Sequence, residues 1–118
     1  MRQNEPLYVI SVAARLLQLH PQTLRKYERE GFVSPSRTSG NLRLYSSSDL
    51  ERLRQVKYLV ERRGINLAGV QLAMEVSRRL RSLRREVDRL SAQNDGRLDY
   101  LVQEIDGLLE LLGTTPEE

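Results

Sequence analysis

Residues 20–45 read HPQTLRKYEREGFVSPSRTSGNLRLY, and the fold is decided within them. Pro21 lacks an N–H and is held at a φ of about −65°, so it belongs in the first turn of a helix. QTLRKYERE continues that helix until Gly31 ends it. Leu24 is its core residue, whereas Gln22, Thr23, Arg25, Lys26 and Arg29 give it a cationic, donor-rich surface. Tyr27 is ambiguous, since its ring can fill core while its hydroxyl meets the backbone. Beyond Gly31, Phe32 and Val33 return apolar side chains to the core before Pro35 interrupts the chain. SRTSGNLRLYS is then short, basic and turn-rich, and it predicts a β-hairpin around Gly40-Asn41, although Asn-Gly is the stronger order.

Upstream, Leu7–Ile10 is a short β-prone run, and Ser11 stands where a helix N-cap belongs, ahead of Val12, Ala13, Leu16 and Leu17. That helix should stop near Leu19, because His20 precedes a proline and avoids the α region. Two short helices joined by a tight turn, the second rich in Arg, Lys and Tyr, make a helix-turn-helix pattern. Downstream, Ser46 and Asp49 form a capping box for a helix that reaches about Arg63, with Leu50, Leu53, Val56, Tyr58 and Val60 on its apolar face. Gly64 suits the position after its end, and Asn66 can cap a short further helix, LAGVQLAMEV. Gly69 inside that helix costs about 1 kcal/mol relative to Ala, which a close helix–helix contact would explain.

After Ser77 the apolar residues are Leu80, Leu83, Val87 and Leu90, then Leu98, Leu101, Ile105, Leu108 and Leu112, in steps of three and four. This is the seam of a coiled coil. A helix continuous through Asn94-Asp95-Gly96 would carry a stutter there, whereas a break at Asp95-Gly96 would let the two pieces fold back as a helical hairpin. So narrow a seam needs a partner, either a second chain or the protein's own head.

The 118 residues leave room for one domain plus an extension. Aromatic residues are 5% of the chain and Trp is absent, so the core must come from Leu, Val, Ile and Ala. With no Cys and a single His, thiolate metal sites, disulfides and catalytic triads have no material, and the seven scattered glycines form no phosphate loop. No metal, cofactor or catalytic residue is therefore expected, and an enzyme is disfavoured. No apolar run approaches the roughly 20 residues of a membrane span, and the amino end is too polar for a secretory signal, so a cytoplasmic location is expected. Charge is uneven: residues 1–64 carry 12 Lys/Arg against 6 Asp/Glu, and residues 65–118 carry 7 against 10. A polyanion-facing front and a differently employed back follow from this.

Arg pairs bidentately with guanine and Gln with adenine, while Thr and Lys can take phosphates. Gln22, Thr23, Arg25, Lys26 and Arg29 are accordingly candidate DNA contacts, joined by Arg37, Asn41 and Arg43 on the narrow hairpin.

The phrase TLRKYEREGFVSPSRTSGNLRLYSSSDLERL resembles the MerR family of winged helix-turn-helix regulators. HPQTLRKYE, RTSGNLRLYS and GINLAGV bring it closer to the HspR-type heat-shock repressors. The resemblance is dense over about residues 7–76 and holds for the tail only in kind. It implies a mainly α fold: a winged helix-turn-helix domain at 1–76 with a small β-hairpin wing, a coiled-coil dimerisation helix at 77–113 and a disordered tail at 114–118. It places Thr23, Arg25, Lys26 and Tyr27 in a recognition helix and Arg37, Asn41, Arg43 and Tyr45 in the wing, with Lys26 standing where many relatives carry Tyr. It further implies a homodimer on an inverted-repeat operator in double-stranded DNA, repression of chaperone genes, and the Hsp70 chaperone DnaK as co-repressor. The leucines at 108, 109, 111 and 112 are then either a DnaK docking segment or part of the dimer seam. Two alternatives remain: a coiled-coil adaptor whose basic head meets an acidic protein, and a ligand-responsive activator of the same family.

Overall fold

The computed structural model describes residues 4–114. The chain divides into two compact units, residues 1–57 and 58–118. The fold class is the expected one, mainly helical with a small antiparallel sheet.

In the first unit, β1 (Tyr8–Val9) leads directly into α1 (Ile10–Leu17). The cap of α1 is Val9, which makes no side-chain hydrogen bond, and Ser11 lies inside the helix rather than at its start. Strand pairing explains the shift: Tyr8 lies opposite Tyr45 and Val9 opposite Leu44, so the β1 register fixes the chain up to Val9. α1 ends two residues earlier than the proline requires, with Gln18 in the left-handed region at φ 55°. There the Lys57 Nζ donates to the Leu17 carbonyl at 2.8 Å and to that of Gln18 at 3.4 Å, which satisfies helix-end acceptors with a cation.

α2 (Pro21–Arg29) begins with its proline in the first turn, as expected. α2 is followed by the wing strands β2 (Ser36–Arg37) and β3 (Arg43–Tyr45). The sheet order is β1-β3-β2, all antiparallel, with Arg37 opposite Arg43 and Ser36 opposite Leu44. Gly40-Asn41 does form the tip, but Asn41 is the residue with positive φ, at 65°. The turn is closed by Asn41 N–H donating to the Thr38 carbonyl and by Leu42 N–H donating to Thr38 Oγ1. α3 (Ser47–Lys57) starts in the expected capping box: Ser46 N–H donates to Asp49 Oδ2 at 2.9 Å, and Asp49 N–H to Ser46 Oγ at 3.0 Å. Ala13, Leu17, Leu24, Tyr27, Val33, Tyr45, Leu53 and Val56 are among the buried residues of this unit, with Tyr27 and Phe32 edge to face at 5.9 Å.

The second unit opens on a π-helical turn at Tyr58–Arg62, where a plain α-helix was expected to run on to Arg63. α4 (Leu67–Ala92) then absorbs both the short helix and the first seam segment in one uninterrupted element across Val76. Asn66 caps it as expected, its Oδ1 accepting from Gly69 N–H at 2.8 Å. A Cβ at Gly69 would stand 2.5 Å from Ile65 Cγ2, so this glycine is needed against the incoming chain and not against another helix.

Of the two alternatives for the seam, the structure takes the hairpin. Asp95 and Gly96 are both left-handed, at φ 55° and 75°, and α5 (Asp99–Leu111) folds back on α4. Ser91, fully buried, ties the corner: its Oγ accepts from Leu98 N–H and donates to Asp99 Oδ1 at 2.6 Å. Arg84 and Asp106 join the helices in a two-pronged ion pair with side chains about a fifth exposed. Val102, Ile105 and Leu109 fill the interior of the hairpin. Of the expected disordered tail, Thr114 is described and residues 115–118 lie outside the described residues. Among the described residues no helix is long and apolar enough to cross a membrane.

Candidate nucleic-acid interface

The interface is built on α2 and the two strands that follow it. His20 caps α2 through its side chain, Nδ1 accepting from Gln22 N–H at 3.0 Å. An imidazole that accepts at Nδ1 carries its proton on Nε2, so the cap needs the neutral ring. Sequence reasoning saw His20 only as the residue before a proline. The signal available was its position directly before a helix-starting Pro21, where a side-chain acceptor is wanted.

Helical spacing splits α2 cleanly. Leu24 and Tyr27 point into the core, while Gln22, Lys26 and Arg29 are exposed and Thr23 and Arg25 half-buried. The Tyr27 ring thus fills core, at 4% exposure. Among the described residues, the side chains of Arg25, Lys26 and Arg29 make no hydrogen bond or ion pair, so their donors are available to an outside acceptor.

The wing lies beside this helix and is attached to it through an acid that sequence reasoning passed over. Glu28 Oε1 accepts from Arg43 Nε at 2.7 Å, and Glu28 Oε2 faces Arg37 Nη2 at 3.5 Å. Arg37 also reaches round the hairpin tip, its Nη1 donating to the backbone and side-chain oxygens of Asn41, both at 3.4 Å. Arg37 and Asn41 are exposed and Arg43 half-buried. Tyr45, assigned to the wing by resemblance, is 0% exposed, and its hydroxyl has no hydrogen-bond partner among the described residues. Burial, and after it the Glu28 carboxylate, raises the Tyr45 phenol above its usual pKa of 10.0. Tyr45 therefore stands behind the exposed residues of α2 and the wing and not among them.

The residues assigned to a dimer seam are dispersed. Leu83 and Leu108 are exposed, whereas Leu80, Val87, Leu90, Leu98, Leu101 and Leu112 are half-buried. Ile105 is 6% exposed inside the hairpin, so α4 is its intramolecular partner, as the fold-back alternative allowed. Leu72, Val76 and Leu83 on α4, and Leu108 and Leu111 on α5, are the exposed large apolar residues of these helices, together with Tyr100.

A helix-turn-helix, a basic wing bound to its second helix, and cations aimed outward together define a winged helix-turn-helix regulator of transcription. The sequence model of MerR HTH family regulatory proteins matches residues 8–76, and the chain belongs to this family. It is 49% identical over 96 residues to a Streptomyces coelicolor protein described as heat shock protein HspR, an alignment covering 81% of this chain and 64% of that protein. It is 40% identical over 70 residues to the HTH-type transcriptional regulator GlnR of Bacillus cereus, covering 59% of this chain and 54% of that one. With MlrA of Escherichia coli the identity is 33% over 69 residues, 28% of the relative's length. The chain thus spans less than two thirds of the length of each of these relatives.

Proposed function

We propose that the chain represses heat-shock (chaperone) genes by binding, as a homodimer, an inverted-repeat operator in double-stranded DNA. The observation that carries the DNA part is the row Gln22, Lys26 and Arg29, with Arg25 beside it, whose side-chain donors meet no acceptor among the described residues while Arg37 and Asn41 stand exposed on the adjoining wing. A recognition helix in the major groove with a flanking ribbon along the phosphates suits this arrangement. For the dimer, Leu72, Val76 and Leu83 are exposed along one face of α4, and a second copy is the proposed cover. The heat-shock assignment rests on likeness to the HspR relative, and DnaK as co-repressor on the resemblance to HspR-type repressors. Of the leucines proposed as its docking segment, Leu108, Leu109 and Leu111 are helical, with Leu109 buried, and Leu112 caps the helix, so an extended peptide is offered only when α5 unravels.

The test is footprinting across the chain's own genome, followed by titration of the recovered duplex and a scrambled duplex of equal composition. An inverted repeat upstream of chaperone genes, bound more tightly than the scrambled duplex and more tightly still with DnaK present, is expected. Equal binding of both duplexes would favour the adaptor reading instead. Specific sites with no gain on adding DnaK would remove the co-repressor.

A further inference from the structure

Glu28 is an acid in the last turn of a helix otherwise arranged to meet a polyanion, and a carboxylate there repels phosphate. Its position in space gives it a different task. It sits between the two wing arginines, with its side chain 22% exposed, and takes the close bond from Arg43 Nε and the looser one from Arg37. The Arg43 side chain is 24% exposed and makes no other hydrogen bond among the described residues, whereas Arg37 is 39% exposed and is shared with the Asn41 tip. Arg43 is therefore oriented by Glu28, while Arg37 keeps most of its freedom to turn outward.

We propose that Glu28 is a specificity-determining positioning residue: it holds Arg43 as a strut between recognition helix and wing, and so withholds that cation from DNA phosphate. The proposal rests on the DNA-binding reading above. Its physical basis is competition. A guanidinium engaged by a carboxylate at 2.7 Å is neutralised locally, and each cation that reaches a phosphate releases counterions whatever the base sequence. Withholding one such contact lowers affinity for all sequences alike. The strut meanwhile fixes the angle between wing and α2, which helps only the sequence whose bases fit both. Glu28 thus trades general affinity for discrimination.

The experiment compares the parent, Glu28→Gln, and Glu28→Gln combined with Arg43→Ala. The probes are a duplex selected by the parent from a random-sequence library and a scrambled duplex of equal composition. The amide keeps the length and one oxygen acceptor but removes the charge. For Glu28→Gln the slope of log affinity against log salt should steepen by about 0.9, equal to a roughly threefold wider affinity change between 50 and 200 mM salt. Affinity for the scrambled duplex should rise more than that for the selected one, and the Arg43→Ala partner change should abolish the gain. Loss of affinity for both duplexes in proportion, with an unchanged slope, would leave Glu28 a structural residue only and overturn the proposal. A gain that survives Arg43→Ala would overturn it as well. If the parent itself yields no selected duplex, the DNA-binding reading fails, and that failure is recognised before any variant is made.

Discussion

Truncating Ile105 and Leu108 separately tests the helical hairpin against a simple coiled-coil seam. A single seam along Leu101, Ile105 and Leu108 predicts similar losses for the two changes. The hairpin predicts a large difference, because Ile105 is 6% exposed and Leu108 is 45% exposed within one chain. Each change to Ala removes three carbons. At about 0.8 kcal/mol per buried methylene, Ile105→Ala loses about 2.4 kcal/mol of transfer energy, and the cavity left behind raises this to about 3 kcal/mol. Leu108→Ala loses about half the transfer term and leaves no enclosed cavity, so about 1 kcal/mol is expected. At roughly 4 °C per kcal/mol for a chain of this size, the melting points should fall by about 12 °C and about 4 °C. Melting followed by helical circular dichroism, repeated over a hundredfold range of protein concentration, reads both. If a second copy covers Leu108, its loss should grow as the protein is concentrated, whereas the Ile105 loss should persist at the lowest concentration. Losses for Ile105→Ala no larger than those for Leu108→Ala at high dilution would refute the hairpin packing.

Four further outcomes are expected. Arg25→Ala should cost about 1–3 kcal/mol on a selected duplex and relax one position per half-site, whereas Arg29→Ala, nearer the helix end, should weaken all sequences alike; competition titrations separate the two. Arg37→Ala should flatten the salt slope by about 1 and Arg43→Ala by clearly less, because Arg43 is the more firmly engaged by Glu28. His20→Ala should cost about 1 kcal/mol in chemical denaturation, and His20→Asn should restore most of it by supplying another cap acceptor. Arg78 and Arg79 donate to the Glu75 carboxyl and lower its pKa from 4.5 to about 2. A carboxyl depressed in the folded state stabilises above its unfolded pKa and loses that contribution as pH falls through the folded one. The small melting-point gap between parent and Glu75→Gln should therefore be present at pH 6 and close near pH 2.

The parts of the fold legible in the sequence were those set by local chemistry. Pro21 at a helix start, the reciprocal bonds of Ser46 and Asp49, and the Asn66 cap each depend on residues within three positions of one another. Misplaced features depended on distant partners. Ser11 was displaced from the cap because β1 pairs with β3, some 36 residues away. The sequence left both a seam and a fold-back open for Ile105, because spacing reports that a side chain is on an apolar face and is silent on whose chain covers it. On the interface, the outward cations of α2 followed from helical period. Glu28 did not: its partners stand 9 and 15 residues further on, across a proline and a hairpin, and only the folded wing brings them to it.

The pairing of charges explains what the sequence-wide balance could only suggest. In the second unit Arg78, Arg79, Arg84 and Arg89 are each engaged by a carboxylate from their own hairpin, with Glu75, Asp106 and Glu86 as partners. These cations stabilise α4 and its return, and a phosphate would have to displace a carboxylate to reach them. In the first unit Glu28 serves two arginines, and the cations of α2 have no such partner among the described residues. The formal charge of +3 over the whole chain therefore understates the contrast. The hairpin satisfies much of its own charge, while α2 presents Arg25, Lys26 and Arg29 without an ion pair among the described residues, which supports the proposal that this face meets a polyanion.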